Sequence, residues 1–268
     1  MASRITLKTP GEIAVMKENG KKLAEILTEV LEKIKPGLST GEIDSWIEKG
    51  ILLAGGQPSF KQVPNYHWSS CIGLNEEVVH SIPKKDKIIK EGDLLKIDLG
   101  MLWQGFHSDL SWTILVQSAK HEATPAEMQV QESQRKFLDT GKKALAEAIK
   151  MAVPGNRVGH ISQKIQEVVE GGGYYPVPIL TGHGIGRKLH EEPFVPGVLL
   201  EKIEETPALV AGMTLAIEII YGFGTGEVVL ENDGWTVCTK DGKIAGLFEK
   251  TIAITEEGPL ILTPVGEK

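Results

Sequence analysis

Gly92-Asp93-Leu94-Leu95-Lys96-Ile97-Asp98 is echoed by Gly212-Met213-Thr214-Leu215-Ala216-Ile217-Glu218, an offset of 120 residues (92 to 212). Each copy is a glycine turn running into an apolar strand that reaches a carboxylate. A second echo keeps nearly the same register. Pro36-Gly37-Leu38-Ser39-Thr40-Gly41-Glu42-Ile43 returns as Pro154-Gly155-Asn156-Arg157-Val158-Gly159-His160-Ile161, an offset of 118 (36 to 154). Either match alone is the kind that chance supplies, because Pro-Gly pairs and apolar alternation are common. Two in order at one offset read as a duplicated α/β half. Duplication places Asp98 and Glu218 at equivalent strand ends, so a pseudo-twofold fold brings two acids toward one axis.

The elements around these echoes are signalled locally. Thr9-Pro10-Gly11-Glu12 is a capping box with proline at the first helical position. Ile13, Met16, Leu23, Ile26, Leu27, Val30, Leu31 and Ile34 then keep helical spacing until Pro36-Gly37. A second helix starts near Thr40 and buries Ile43, Trp46 and Ile47. Thr124-Pro125-Ala126-Glu127 repeats the capping device ahead of a helix to about Met151, and another follows over 158–169. Strands are expected at 70–74, 94–99 and 110–116, then at 215–221, 236–239, 251–254 and 260–262. With no low-complexity linker, residues 1–268 read as one domain, with halves of approximately 10–118 and 124–255.

Composition excludes several classes. Hydrophobic content of 41% and charged content of 24% are ordinary for a soluble globular protein. A net charge of −7 argues against a nucleic-acid partner, and a cluster of metal-binding carboxylates would add to that negative count. Cys71 and Cys238 form no disulfide framework and no Cys-x-x-Cys zinc spacing. The first residues lack the apolar core of a signal peptide, and no run approaches the ~18 apolar residues of a membrane span. A cytoplasmic protein is expected.

Candidate chemistry lies in acids on strands. Asp98 and Asp109 are eleven residues apart, with Gly100 and Gly105 between them. In a hairpin, that odd spacing can set both carboxylates side by side on one face, which needs a cation between them. The alternative is that one of them marks a turn. Glu218 lies inside the apolar run 215–220, where an unpaired carboxylate is costly. Glu249, in Leu247-Phe248-Glu249-Lys250-Thr251-Ile252, has the same character unless it pairs with Lys250. Thr181-Gly182-His183-Gly184-Ile185-Gly186-Arg187-Lys188-Leu189-His190 frames one histidine with glycines and places a second seven residues on. Glycine at every second position suits close backbone approach more than a strand. Two Asp, two Glu and one His form an oxygen-rich set suited to Mn, Fe(II), Co or Zn in higher coordination. Four carboxylates exceed one ion's need, so a pair of divalent ions ~3.5–4 Å apart is the better fit.

The His-Gly-Ile-Gly run, and Asp98, Asp109, His183, Glu218 and Glu249 in order, resemble the methionine aminopeptidase and prolidase superfamily of "pita-bread" metallopeptidases. The resemblance covers nearly the whole chain. It implies an α+β pita-bread fold, with two pseudo-twofold-related α/β halves around an antiparallel sheet. It implies that Asp109 and Glu249 bridge two metals, that Asp98 completes one site, and that His183 and Glu218 complete the other. Glu218 is further implied as the proton shuttle. His80, in Asn75-Glu76-Glu77-Val78-Val79-His80-Ser81-Ile82-Pro83, is implied to contact substrate and stabilise the tetrahedral intermediate, and His190 to hydrogen-bond the scissile amide. Tyr66, Cys71 and Trp235 match positions lining a shallow methionine slot, with Leu189 where an aromatic is common. His67, His107, His121 and His160 are left as surface or loop positions.

The resemblance is nearest to the type I methionine enzymes, which Asp233-Gly234-Trp235-Thr236-Val237 matches. It implies removal of initiator methionine from nascent polypeptides when the second residue is small, by a monomer that could meet its substrate at the ribosome. An X-Pro peptidase of the same fold is the alternative, opposed by the short lead-in before the first helix. A non-catalytic pita-bread binding protein is a further alternative, opposed by the complete ligand set. Departures from the pattern are Ile219 for proline, Lys250 for histidine, Val63 for tyrosine, Ser81 for glycine, and Asp98-Leu99-Gly100 of prolidase type. They bear on pocket shape more than on metal chemistry.

Overall fold

The computed structural model describes residues 5–117 and 124–266. Among these residues four α-helices form: α1 (Pro10–Leu31), α2 (Thr40–Leu53), α3 (Pro125–Lys150) and α4 (Val158–Gly171). The strands of the first half are β1 (Gln57–Pro58), β2 (Ser70–Leu74), β3 (Glu77–Val79), β4 (Leu94–Trp103) and β5 (Phe106–Leu115). Those of the second are β6 (Tyr175–Pro176), β7 (Thr181–Gly184), β8 (Glu191–Pro196), β9 (Thr214–Gly222), β10 (Val228–Leu230), β11 (Val237–Thr239), β12 (Ala245–Thr255) and β13 (Gly258–Ile261). The expected capping boxes form at Thr9/Glu12 and Thr124/Glu127, and a further one forms at Ser39/Glu42.

The main sheet has ten strands with the path β1-β4-β5-β12-β9-β7-β8, and every pairing in it is antiparallel. Its centre, β4-β5-β12-β9, reads the same from either end once β4 is equated with β9 and β5 with β12. That is the arrangement the duplicated segments predict, with the pseudo-twofold axis between β5 and β12. The α+β pita-bread expectation is met in this palindromic sheet.

Alternation along the strands separates two faces. Leu95, Ile97, Leu99 and Leu110 pack with α1 and α2, burying Leu23, Leu27, Ile43 and Ile47. Leu215, Ile217, Ile219, Phe248 and Ile252 pack against α3 and α4, burying Phe137, Leu145, Ile161 and Ile165. Asp98, Asp109, Glu218 and Glu249 have the opposite parity, so they project from the face the helices leave uncovered.

Two expectations need correction here. The glycine-framed histidine stretch does form a strand, β7, between β8 and β9. Its glycines approach neighbouring backbone: a Cβ on Gly182 would lie 2.5 Å from the Ala216 carbonyl oxygen, and one on Gly184 would meet the Glu192 carbonyl. His107 is not a surface or loop residue. It is buried on β5, and its Nδ1 lies 2.9 Å from Ser59 Oγ. His67 is exposed, as expected, while His160 caps α4 by accepting from the Arg157 N–H. His121 lies outside the described residues.

Gly182→Ala tests the close approach of β7 to β9. We expect a loss of about 1–3 kcal/mol, because backbone must shift to admit the methyl group. Thermal unfolding measures it, and an unchanged Tm would show that the strands tolerate wider spacing.

Candidate active site

The strand registers build the site as two adjoining rows across the uncovered face. One row runs Cys71, Asp98, Ser111, Glu249 and Glu218 over β2, β4, β5, β12 and β9, each paired with the next. The next row on the same face begins Gly100↔Asp109 on β4 and β5, and on the other side Thr251↔Ala216 and Ala216↔His183 join β12, β9 and β7. Thr251 Oγ1 closes that row, donating to Asp109 O at 2.7 Å and accepting from Asp109 N–H at 2.9 Å.

Asp98 and Asp109 therefore share a face, but they are diagonal neighbours. Asp98 stands opposite Ser111, because the turn falls at Gln104-Gly105 and Trp103 pairs with Phe106. An odd spacing fixes which face the two acids share; the turn position decides which residues stand opposite. The offset lets Ser111 Oγ donate to Glu249 Oε2 at 2.7 Å from between the two aspartates. Parity along β5 was the signal for Ser111, two residues from Asp109.

One cavity of about 160 Å³ is lined by every residue singled out from the sequence: Asp98, Asp109, His183, Glu218 and Glu249, with His80, His190, Tyr66, Cys71, Leu189 and Trp235. Phe60, Val63 and Val79 line it as well. Phe60 carried no motif, and Val79 lay in the stretch 75–83 without a role of its own; folding places both on the cavity wall. Tyr66 is the hub of the apolar side. Its ring meets Phe60, Trp68 and Trp235 edge-on, with centroids 6.4, 5.3 and 5.0 Å away, and its hydroxyl donates to Ser70 O at 2.9 Å. Of the four departures at single positions, Ile219 lies in the helix-side core and Lys250 stands 5.9 Å from the Trp112 ring, away from the cavity. Val63 lines the cavity, and Ser81 lies in a small void just behind it.

The charges of this cluster do not balance by themselves. Burial pushes the Asp98 carboxyl up to about 7. Asp109 is raised by burial and then by Glu249 and Asp98. Glu218 is raised by burial and by the two aspartates, and Glu249 by burial, Glu218 and Asp98. Asp98 Oδ1 and Glu249 Oε1 are buried without a hydrogen-bond partner. Orphaned oxygens among mutually repelling carboxylates are what divalent cations satisfy. Asp109, His183 and Glu249 each offer a ligand atom, and these lie within 4.8 Å of one another.

His183 is prepared for the same role. Its Nδ1 is 2.9 Å from Gly184 O, which can only accept, so the ring proton sits there and the Nε2 lone pair faces Glu218 Oε1 at 3.5 Å. Burial, with His190 close by, lowers its pKa to about 3, which keeps it neutral. The His190 ring stands edge-on to it, with centroids 4.4 Å apart. His80 and His190 are the exposed members at the cavity mouth. His80 takes a left-handed backbone conformation, φ 55°, and burial around its ring and the nearby His190 lower its pKa.

The chain is similar to known proteins over almost its whole length. Residues 14–256 match metallopeptidase family M24. The methionine aminopeptidase of Aquifex aeolicus is 39% identical over 265 residues, covering 97% of this chain and 98% of that one. The crystal structure of the methionine aminopeptidase from Thermotoga maritima superposes with a TM-score of 0.88 at 38% identity, covering 97% and 99%. A prolidase from Pyrococcus furiosus, 23% identical with a TM-score of 0.75, shares the fold over 97% of this chain and 66% of its own.

The raised carboxyls predict a pH-dependent metal effect. Their folded pKa values stand above the ordinary carboxylate values of about 4, so without cations the folded cluster holds protons more tightly than the unfolded chain. Its contribution to stability is full below about pH 4 and is lost as pH rises through the shifted range toward 7. Cation binding must displace those protons. The rise in Tm on saturating with Mn²⁺ should therefore grow from pH 5 to pH 8. An equal rise at every pH would show that the cluster is not the metal's site.

Proposed function

The chain belongs to metallopeptidase family M24, within its methionine aminopeptidases, and from this we propose that it removes the N-terminal methionine of nascent polypeptides whose second residue is small. The observation that carries the reading is the row structure of the sheet, which gathers two Asp, two Glu and one His around one cavity floor beside an apolar slot. We assign divalent cations to these five residues: Asp98, Asp109, His183, Glu218 and Glu249 would hold two of them. Such cations supply a water nucleophile at neutral pH and polarise the scissile carbonyl.

The chain's own groups do the rest. Glu218 takes the proton of the attacking water on a carboxylate oxygen and delivers it to the leaving amine. His80 and His190, neutral and at the mouth, bracket the scissile peptide. His190 donates to the amide, and His80 stabilises charge developing on the former carbonyl oxygen. The methionine side chain lies against Tyr66, Cys71, Leu189, Trp235 and Phe60, where a flexible thioether finds polarisable aromatic partners. Val63 leaves that wall without a hydroxyl. The free thiols of Cys71 and Cys238 suit a reducing cytoplasm, and we expect a monomer acting on chains as they leave the ribosome.

Metal-loaded protein should cleave Met-Ala-Ser and leave Gly-Pro-Leu intact; cleavage of the second peptide alone would overturn the methionine reading. Glu218→Gln should lower kcat by about 10²–10⁴-fold with the circular dichroism spectrum unchanged. Retained turnover would remove Glu218 from the proton path.

A further inference from the structure

Lys96 lies on β4 two residues before Asp98, on the same face, and only 2% of it is exposed. No carboxylate of the described residues pairs with it. Its Nζ donates instead to two backbone carbonyls, Asn75 O at 2.9 Å and Ala245 O at 3.1 Å. Burying an amine without an acid is costly, so its two acceptors are where the reason for it must lie.

Both acceptors belong to segments that carry site groups. Asn75, left-handed at φ 47°, turns β2 into β3, and His80 follows directly after β3. Ala245 opens β12, four residues before Glu249 and on its face of the sheet. The two segments touch at Ala245 N–H, which donates to Asn75 O at 2.8 Å. Toward this end, backbone pairing between β5 and β12 stops at Glu249↔Ser111. Side chains continue the seam beyond it. Thr113 Oγ1 donates to Leu247 O at 2.7 Å and accepts from Leu247 N–H at 2.9 Å. Lys96, the cross-strand partner of Thr113, reaches Ala245.

Other bonds tie the Asn75 turn to β4, where its N–H donates to Leu94 O at 2.9 Å and its Oδ1 accepts from the Leu94 N–H at 3.0 Å. From Asn75 across to β12 the ties are the Ala245 N–H and Lys96 Nζ. A void of about 10 Å³ is lined by Lys96 together with His80, Ser81 and Asp98, and Ser81 Oγ and Asp98 Oδ1 are buried without a hydrogen-bond partner. We propose that Lys96 is a positioning residue: its Nζ clips the Asn75 turn to the start of β12 and so sets where His80 stands against Glu249. The lysine touches neither substrate nor reacting atoms, and its effect on turnover rests on the aminopeptidase reading of the cavity.

Two variants and two readouts test this. In Lys96→Met, which keeps length and loses the donors, amides of residues 75–81 and 245–249 should exchange hydrogen about tenfold faster or more. In Lys96→Ala, methylammonium chloride should restore their protection by filling the vacated donor position, and it should do nothing to the unaltered protein. With Met-Ala-Ser, Lys96→Met should lose about 10- to 100-fold in kcat, the size of a small misplacement, while KM and Mn²⁺ affinity hold within about twofold. Methylammonium should recover kcat in Lys96→Ala.

Exchange and kcat unchanged in Lys96→Met would overturn the proposal. So would Lys96→Ala whose protection does not return with the amine, which decides the matter even if Lys96→Met fails to fold. Failure of the unaltered protein to cleave Met-Ala-Ser would sink the aminopeptidase reading, while the exchange arm still decides the clip.

Discussion

Four carboxylates held around one point, out of water, are the constraint on which the rest of the structure depends. Desolvation and mutual repulsion both oppose the arrangement, and each of the four is pushed toward its protonated form. The sheet holds the set together, because the acids share its hydrogen-bond ladders and cannot separate without breaking them. The stabilisation that opposes the repulsion comes from the other face, where two apolar layers seal β4-β5 to α1-α2 and β9-β12 to α3-α4. Divalent cations, held there as we propose, would convert a repelling cluster into a binding one.

The two faces of the sheet thereby divide the work. Residues of one parity determine whether the protein folds, and those of the other what it does. Ile219 and Lys250 adjoin two acids in sequence and still face the helices, so their unusual identities leave the cavity wall unchanged. Val63 lines the cavity and Ser81 the void behind it, and the shape of the slot depends on them. Distance from a ligand along the chain is a poor guide here, and parity is a good one.

Much of this was legible without coordinates, because the signals involved are local or periodic. Capping boxes at Thr9 and Thr124 satisfy orphan N–H groups within one turn, so the starts of the helices they open could be placed to the residue. The first helix ends at Leu31, short of the expected Pro36-Gly37. The repeat at 92–98 and 212–218 implied a symmetric sheet, and alternation put Asp98 and Glu218 on the face opposite their apolar neighbours. The errors share one cause. Gly182 and Gly184 were read by their intrinsic reluctance to form strands, yet β8 and β9 lie so close that only glycine fits. His107 shows no sign in sequence that Ser59 waits beside it. The pairing opposite Asp98 depends on where the hairpin turns, which composition does not reveal.

The sequence by itself determined the duplicated halves, the face each acid would take, and the kind of chemistry such a ligand set supports, since these follow from periodicity and from the donor properties of Asp, Glu and His. Only the tertiary structure decided which residues face one another across strands: Ser111 against Asp98, Phe60 and Val79 on the cavity wall, and Lys96 against two carbonyls far away in the chain. The physical reason is that cross-strand register and side-chain reach are set by turns, seams and packing among distant segments. No local pattern along one strand records what stands on the next.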